Sequence, residues 1–553
     1  MIRRFFEKTG LWLVGAAALV LAVGLKAWLV ASQSVPFNSD EAVVALMARY
    51  ILSGSRPVFF FGQAYMGSLD AWLIAGGFAL FGQQVWVIRL VQGLLYIGVL
   101  GTTVILGRQA FGNFKVGVLA ALLLAIPTVN VTLYTTASLG GYGEALLIGN
   151  LLLIVGLRII HRMQEEGKVG KVWLWLLLGF LAGFGLWAFG LTLVYVLPVG
   201  VGLLWQLYRL PQPGSGRLSR LRQAAVPLGA LLLGGLLGLA PLWGYAARYG
   251  FSQMLDELSG GAIAGIEGLS WLGQVWQHLV NLLLLGSIVV FGQRPPWGVT
   301  WLALPLLPFV FLFWMAVLVY IGRTLRNPDA RHVPLAILRG VMLALMLGFI
   351  FTPFGADPSG RYFLPLAVPL ALFASAMLVE LGEMKRFWTY GLTLLLLTYN
   401  LWGTVQCAQR FPPGITTQFY EPAQVDQRQI SELITFLDEH GERYGYTNYW
   451  VSYPLAFLSQ ERLIYVPRLP YHLDFRYSER DDRYLPYDEV VSQADKVAYI
   501  TTNHPALDQY LRQHLDELGV NCLEVQFGDF HVFYALSRPV GPSEIGLGVT
   551  TTP

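Results

Sequence analysis

Apolar runs of membrane length recur along this chain, and they restrict its folds more than any other feature. The first covers residues 11–31. Others follow near 87–107, 114–135, 141–158, 172–190, 191–208, 224–246, 299–322, 335–353, 361–381 and 387–405. A helix needs roughly 20 apolar residues to cross a bilayer core, and a helix satisfies its backbone groups internally where water is absent. The runs therefore predict an α-helical polytopic membrane protein with about eleven transmembrane helices. Composition agrees: 55% of the 553 residues are hydrophobic and 13% charged, and mean hydropathy is +0.54. A soluble chain carries about 25% charged residues. Disordered chains, collagens, disulfide-rich secreted modules and ordinary cytosolic enzymes are excluded. A net charge of +3 gives no footprint for nucleic acid as a partner.

Lysine and arginine set the expected orientation. Arg3, Arg4 and Lys8 precede the first run. That run exceeds the roughly 7–15-residue apolar core of a signal peptide, so it is read as an uncleaved span, although Ala31-Ser32 would suit a cleavage site. Alternate loops then hold Arg108, Lys115; Arg158, Arg162, Lys168, Lys171; Arg209, Arg217, Arg220, Arg222; Arg323, Arg326, Arg331, Arg339; and Lys385, Arg386. The opposite loops hold only Arg49, Arg56, Arg248, Arg294 and Arg361, with Arg89 at a helix end. This asymmetry survives only if a further apolar run, 276–291, does not cross. It is therefore expected to be re-entrant or interfacial. The expected location is the cell (inner or plasma) membrane, with a cytoplasmic N-terminus.

Three parts are expected: a transmembrane catalytic part over 1–405, with interfacial helices in the outer loop 32–86; an extracytoplasmic α/β domain over 406–537; and a flexible tail over 538–553. In the second part, 427–441 and 504–519 read as helices. Residues 462–468 and 496–502 read as strands, and 523–536 as a hairpin around Gly528-Asp529. Cys407 and Cys522 both fall on the outer side, where a bridge is chemically allowed.

Ionisable groups in a membrane protein point to function. Here they gather at the outer ends of the spans, which suggests chemistry at that interface more than ion-coupled transport. The first outer loop begins VPFNSDEAVVALMARYILSG (35–54). Asn38 is a good N-cap, Glu41 completes a capping box, and Asp40 sits in the first turn, where the helix dipole favours a carboxylate. Asp40 can serve as a general base, or the two acids can simply cap the helix. Farther along the loop, Arg56, Gln63, Tyr65 and Asp70 are candidates for holding a hydroxyl-rich ligand, while Tyr65 and Trp72 also suit interfacial anchoring. Glu144 lies about one turn inside the outer surface. It either faces the same cavity or bonds a neighbouring helix. Arg361, with Tyr362 beside it, re-enters the membrane at a depth that suits a lipid phosphate; an ion pair with Asp357 or headgroup anchoring is the plainer role. No Walker motif, GxGxxG, GxSxG, HExxH or DxD occurs.

The stretches SDEAVVALMARYILSG (39–54), GQAYMGSLDAW (62–72), GGYGEALLIG (140–149), SGRYFLPLAVPL (359–370) and YTNYWVSYPLAFLSQERLIYVP (446–467) resemble segments of the C-type integral-membrane glycosyltransferases. That group includes protein O-mannosyltransferases and the bacterial aminoarabinose transferases that modify lipid A. The resemblance implies a sugar donor carried on a polyprenyl phosphate, a lipid, glycan or protein acceptor, and inversion at the sugar carbon. It implies that Asp40, the first acid of the outer loop, is the catalytic base. Glu41 would then stand beside it among the substrate-binding residues. Family members differ in metal requirement, so no cofactor is assigned and a divalent cation stays open. Two other classes remain: a lipid or polysaccharide transporter without chemistry, and a scaffold whose outer domain binds a partner.

Overall fold

The computed structural model of the chain describes residues 2–210, 217–260, 270–326, 332–410 and 414–550. Helix α1 (Ile2–Ala31) leads into the predicted loop, which holds α2 (Ser39–Leu52), a hairpin of β1 (Phe59–Phe60) and β2 (Gln63–Gly67), and α3 (Leu69–Phe81). The two short helices were expected, and the hairpin was not. There follow α4 (Val85–Phe111), α5 (Phe114–Ala125), α6 (Val129–Tyr134), α7 (Tyr142–Glu166), α8 (Val172–Ala188), α9 (Leu193–Arg209), α10 (Arg217–Gly238), α11 (Ala240–Tyr249) and α12 (Phe251–Gly260). The membrane part ends with α13 (Trp271–Val280), α14 (Ser287–Val290), α15 (Leu307–Arg323), α16 (His332–Phe351), α17 (Ala367–Met384) and α18 (Arg386–Gln409).

Each apolar run falls largely on helix, residues 299–306 excepted, and the protein is a multi-pass membrane protein. Among the described residues, 7 helices are long and apolar enough to cross a bilayer, or 8 if the pair 224–238 and 240–249, bent by 57°, is one span. Helices α5, α8 and α15 are shorter apolar helices. Small residues let some of them pack backbone to backbone. A Cβ on Gly179 of α8 would lie 1.9 Å from the Leu231 carbonyl oxygen of α10, and one on Gly183 2.2 Å from that of Gly235.

The run at 276–291 belongs to one 20-residue helix, Trp271–Val290, which length alone would allow to cross. Its contacts are with the segment that joins α16 to α17. His278 Nδ1 meets the Ile350 carbonyl at 2.9 Å, and Asn281 donates to the Gly355 carbonyl at 2.9 Å. Gly286 packs on the Phe363 ring, and Val289 packs on Gly360. All four partners lie between the end of α16 and the start of α17, so the helix runs along that connector. Parity agrees. With the other predicted spans crossing, the loop after α1 and the chain after α18 end on one side of the membrane. They are hydrogen-bonded to each other there (Asn38 Nδ2 to Thr417 Oγ1, 2.9 Å).

The C-terminal sheet domain contains α19 (Ile430–His440), β3 (Tyr444–Thr447), α20 (Tyr449–Leu458), β4 (Ile464–Pro467), α21 (Pro486–Ser492), β5 (Ala498–Thr502), α22 (Pro505–Glu517), β6 (Leu523–Phe527) and β7 (Phe530–Tyr534). Its sheet order is β4-β3-β5-β7-β6. Strand β3 pairs parallel with β4 and β5, and β7 pairs antiparallel with β5 and β6. The β6–β7 hairpin turns at Gly528, whose φ is +53°. Strand β3 and helix α20 escape the sequence reading. The strand is only 4 residues long, and Pro454 sits inside the helix.

One expectation is corrected. The segment after Ser537 is not a free tail over 538–550. Val540 and Ile545 are buried, and their carbonyls accept hydrogen bonds from Tyr499 (2.6 Å) and Tyr510 (2.8 Å). Residues 551–553 lie outside the described residues. Cys407 and Cys522 are both free thiols.

Candidate active site

The site starts at the first turn of α2. Asn38 Oδ1 accepts the Glu41 N–H at 3.2 Å, as an N-cap should. Glu41 does not close the capping box. Its carboxylate turns inward to Arg89 of α4 at 2.6 Å, with side-chain exposures of 0% and 5%. The Ser138 N–H approaches its other oxygen at 3.4 Å. Burial pushes the Glu41 carboxyl up to about 7, against the pull of Arg89. Adjacent helical residues point about 100° apart, so Asp40 faces a different wall. The C-terminal domain forms that wall. Tyr449 OH donates to Asp40 Oδ1 at 2.6 Å, and Thr417 Oγ1 donates to Oδ2 at 2.8 Å.

Helix α2 was expected to lie on the lipid interface with one face down. Instead nearly all of it is buried, because the C-terminal domain covers its outer side. Tyr50 and Tyr487 both donate to Glu461 Oε1, the second at 2.9 Å. Arg49 pairs with Glu461 Oε2 at 3.3 Å and donates to the Phe457 carbonyl at 3.0 Å. The domain is thereby clamped onto the loop that carries Asp40.

Beside this contact lies a cavity of about 800 Å³. The β1–β2 hairpin forms one wall, the α16–α17 connector a second, and Arg480 and Arg483 of the C-terminal domain a third. Arg483 joins the cavity to the acid. Its guanidinium carbon lies 5.5 Å from the centre of the Tyr449 ring, it donates to the Gly62 carbonyl at 3.1 Å, and it is within electrostatic reach of Asp40. Tyr134 is within reach of both Asp40 and Arg361. Arg361 Nε pairs with Asp357 Oδ2 at 2.5 Å, and its guanidinium stands 5.0 Å from the Tyr362 ring centre. A second, almost wholly apolar groove of about 210 Å³ runs between the start of α9 and the end of α16. Tyr65, Phe354 and Tyr362 line both spaces.

Of the residues singled out from sequence, Gln63, Tyr65, Arg361 and Tyr362 line the cavity. Asp40 is half-buried and does not line the cavity; Arg483, which does, is within electrostatic reach of it. Arg56 is exposed and lines neither space. Glu41, Asp70 and Glu144 are buried outside both, which revises their expected contact with substrate. Asp70 accepts from Gln92 (2.9 Å), Ser138 Oγ (2.6 Å) and the Gly140 N–H (3.3 Å). Glu144 lies against Asp70, so the two carboxyls share a buried site. Asp70 thereby ties α3 to α4 and to the 138–140 turn.

Four neighbours of Asp40 escape the sequence reading: Thr417, Tyr449, Asp481 and Arg483. Tyr449 falls in a stretch noted for its resemblance. The others stand in polar segments where no periodicity marks one residue over the next. Burial pushes Asp481 up to about 6, with Arg483 pulling the other way and Asp40 adding to the rise. Burial and the Asp40 charge push the Tyr449 hydroxyl well above its ordinary value, so it stays a donor.

No group of three or more His, Cys, Asp or Glu side chains close enough to hold a metal occurs among the described residues. Of the carboxylates at the site, Asp357 pairs with Arg361 and Asp40 accepts from two hydroxyls, while Asp256 and Glu257 also line the cavity.

No protein-family model matches the sequence, and no curated protein matches it. Solved structures do. ArnT from Cupriavidus metallidurans, solved bound to undecaprenyl phosphate, superposes with a TM-score of 0.55 at 14% identity over 94% of this chain and 97% of that one. The archaeal oligosaccharyltransferase AglB from Archaeoglobus fulgidus, solved with an inhibitory peptide and a dolichol-phosphate, gives 0.53 at 13% identity over 97% of this chain and 75% of that one. At such identities the likeness is one of fold. The chain has the fold expected from its resemblance to the C-type enzymes, helical membrane part and C-terminal domain included.

Proposed function

We propose that this chain is a membrane glycosyltransferase that moves a sugar from a polyprenyl-phosphate donor to a hydroxyl of a lipid, glycan or protein acceptor. One observation carries the reading: a polar cavity and an apolar groove share the wall formed by Tyr65, Phe354 and Tyr362, with Arg361 on the polar side. A donor with a phosphate head and an isoprenoid tail needs such a junction. ArnT and AglB, which share the fold, were solved with undecaprenyl phosphate and dolichol-phosphate.

In this reading the tail lies in the groove, and the phosphate meets the forked donors of Arg361, which Asp357 holds in place. Asp40 takes the proton of the acceptor hydroxyl. The acceptor oxygen bonds to the anomeric carbon from the side opposite the phosphate. The bond from that carbon to the phosphate oxygen breaks, its electron pair leaves with polyprenyl phosphate, and the configuration inverts. The guanidinium stabilises the charge growing on the leaving oxygen. The lysine and arginine distribution supports a cytoplasmic N-terminus in the cell membrane, with the site and the C-terminal domain outside. Residues 1–405 then form the catalytic membrane part, and the domain that follows closes over it.

The test uses the purified full chain and Asp40→Asn in nanodiscs, a panel of polyprenyl-phosphate sugars and mixed cell-envelope acceptors. Polyprenyl phosphate should be released by wild type and not by the variant. Equal release from both would remove Asp40 from the mechanism. No release from folded wild type would favour a transporter.

A further inference from the structure

Asp40 is the proposed base, yet both of its oxygens are held by hydroxyls from across the interface with the C-terminal domain. We infer that Tyr449 and Thr417 are positioning residues that orient Asp40, so that the C-terminal domain completes the catalytic site. This rests on the reading of Asp40 as base.

The geometry leaves each hydroxyl one direction. Thr417 Oγ1 accepts from Asn38 Nδ2 at 2.9 Å, so its own proton points to Asp40 Oδ2, 2.8 Å away. Asn38 in turn caps the helix that carries Asp40. Tyr449 is the first residue of α20. Asn448 caps that helix through the Trp450 N–H (3.0 Å) and is tied to Thr502 of β5 (2.7 Å). Ser39 Oγ donates to the Tyr449 carbonyl, so the residue is gripped at backbone and side chain from both partners. The two donors take two of roughly four lone-pair positions on a carboxylate and leave the rest for an acceptor hydroxyl. Hydrogen bonds to a charged form favour that form. Both residues are buried, so water does not replace a lost donor cheaply.

The plainer alternative is that the two hydroxyls only fasten the domain to α2. The dependence of rate on pH separates the two. The other titratable groups within electrostatic reach of Asp40 are Arg483, Asp481, Tyr471, Tyr134 and its neighbour Glu41. Tyr449 also acts on Arg483, so the substitutions at 417 isolate the effect on Asp40.

The experiment measures kcat/KM against pH for full-length wild type, Tyr449→Phe, Thr417→Val and Thr417→Ser, with one polyprenyl-phosphate sugar as donor and thermal unfolding as a check of fold. The acid limb should move to higher pH by roughly one unit in Tyr449→Phe and in Thr417→Val. Thr417→Ser, which keeps the hydroxyl, should restore it. A lower rate with an unmoved acid limb in both variants would overturn the inference and leave a fastening role. If Tyr449→Phe does not fold, the Val and Ser pair at 417 decides alone. Full activity in Asp40→Asn would instead sink the parent reading.

Discussion

Replacing Arg89 by leucine tests the division of labour between the two acids of α2. Arg89 Nη2 lies 2.6 Å from Glu41 Oε2 in a site that water does not reach. The same nitrogen donates to the Val35 and Pro36 carbonyls at 3.2 and 3.4 Å. Without it, Glu41 keeps only the Ser138 N–H at 3.4 Å. Removing one member of a buried pair costs about 3–5 kcal/mol, mostly for the charge left behind. A proton relieves that charge, so the loss depends on pH. The folded value of Glu41 is raised, so its contribution is complete below the unfolded value of about 4.3 and fades as pH rises through the folded value. Wild type stops losing stability from this group above about pH 7. The variant has no cation to pull Glu41 back, so it continues to lose. The gap between them should open above pH 7 by about 1.4 kcal/mol per unit. Denaturant unfolding in mixed micelles, followed by tryptophan fluorescence at pH 6 and pH 8.5, reads it. Adding Glu41→Gln to Arg89→Leu should remove the pH dependence. A gap equal at both pH values would refute the buried-pair argument. Loss of donor turnover in Glu41→Gln at wild-type stability would return Glu41 to the substrate site.

Two further outcomes follow from the same contacts. Arg361→Ala should lower donor turnover by at least about a hundredfold, the loss of roughly 3 kcal/mol of charge stabilisation, while Arg361→Lys recovers only part because a point charge replaces a fork; steady-state release of polyprenyl phosphate checks both. Glu461→Ala should strip the clamp from Arg49, Tyr50 and Tyr487, raise hydrogen exchange in α20 and slow turnover, with thermal unfolding as the check that the membrane part stays folded.

Much of the membrane part could be read before any coordinates. Each predicted span is largely helical, and the charge count alone raised the question of whether 276–291 crosses. The helix carrying Asp40 was legible from Asn38 and the apolar spacing after it, and so was the hairpin at Gly528. These features are local: they depend on apolar length, on a cap within three residues, or on a turn within two. What failed was the destination of individual polar groups. Glu41 looked like half of a capping box and turned to a cation in the next helix. Asp70 and Glu144 looked like ligand-binding acids and met each other in the protein interior. The segment after Ser537 read as a flexible tail, yet Val540 and Ile545 are buried and the first is bonded to Tyr499 of the C-terminal sheet.

The sequence by itself determined that the chain lives in a membrane and that an acid follows the first apolar helix at a helix start. Only tertiary structure decided which acid could do chemistry. Neighbouring residues on one helix point to different walls, so the partners of Asp40 and Glu41 depend on what packs there. For Glu41 the wall is Arg89, 48 positions along the chain, and for Asp40 it is Tyr449, 409 positions away. No local pattern carries a pairing over such distances. It arises when the C-terminal domain is folded back onto the loop by contacts that each residue makes only once the fold is complete.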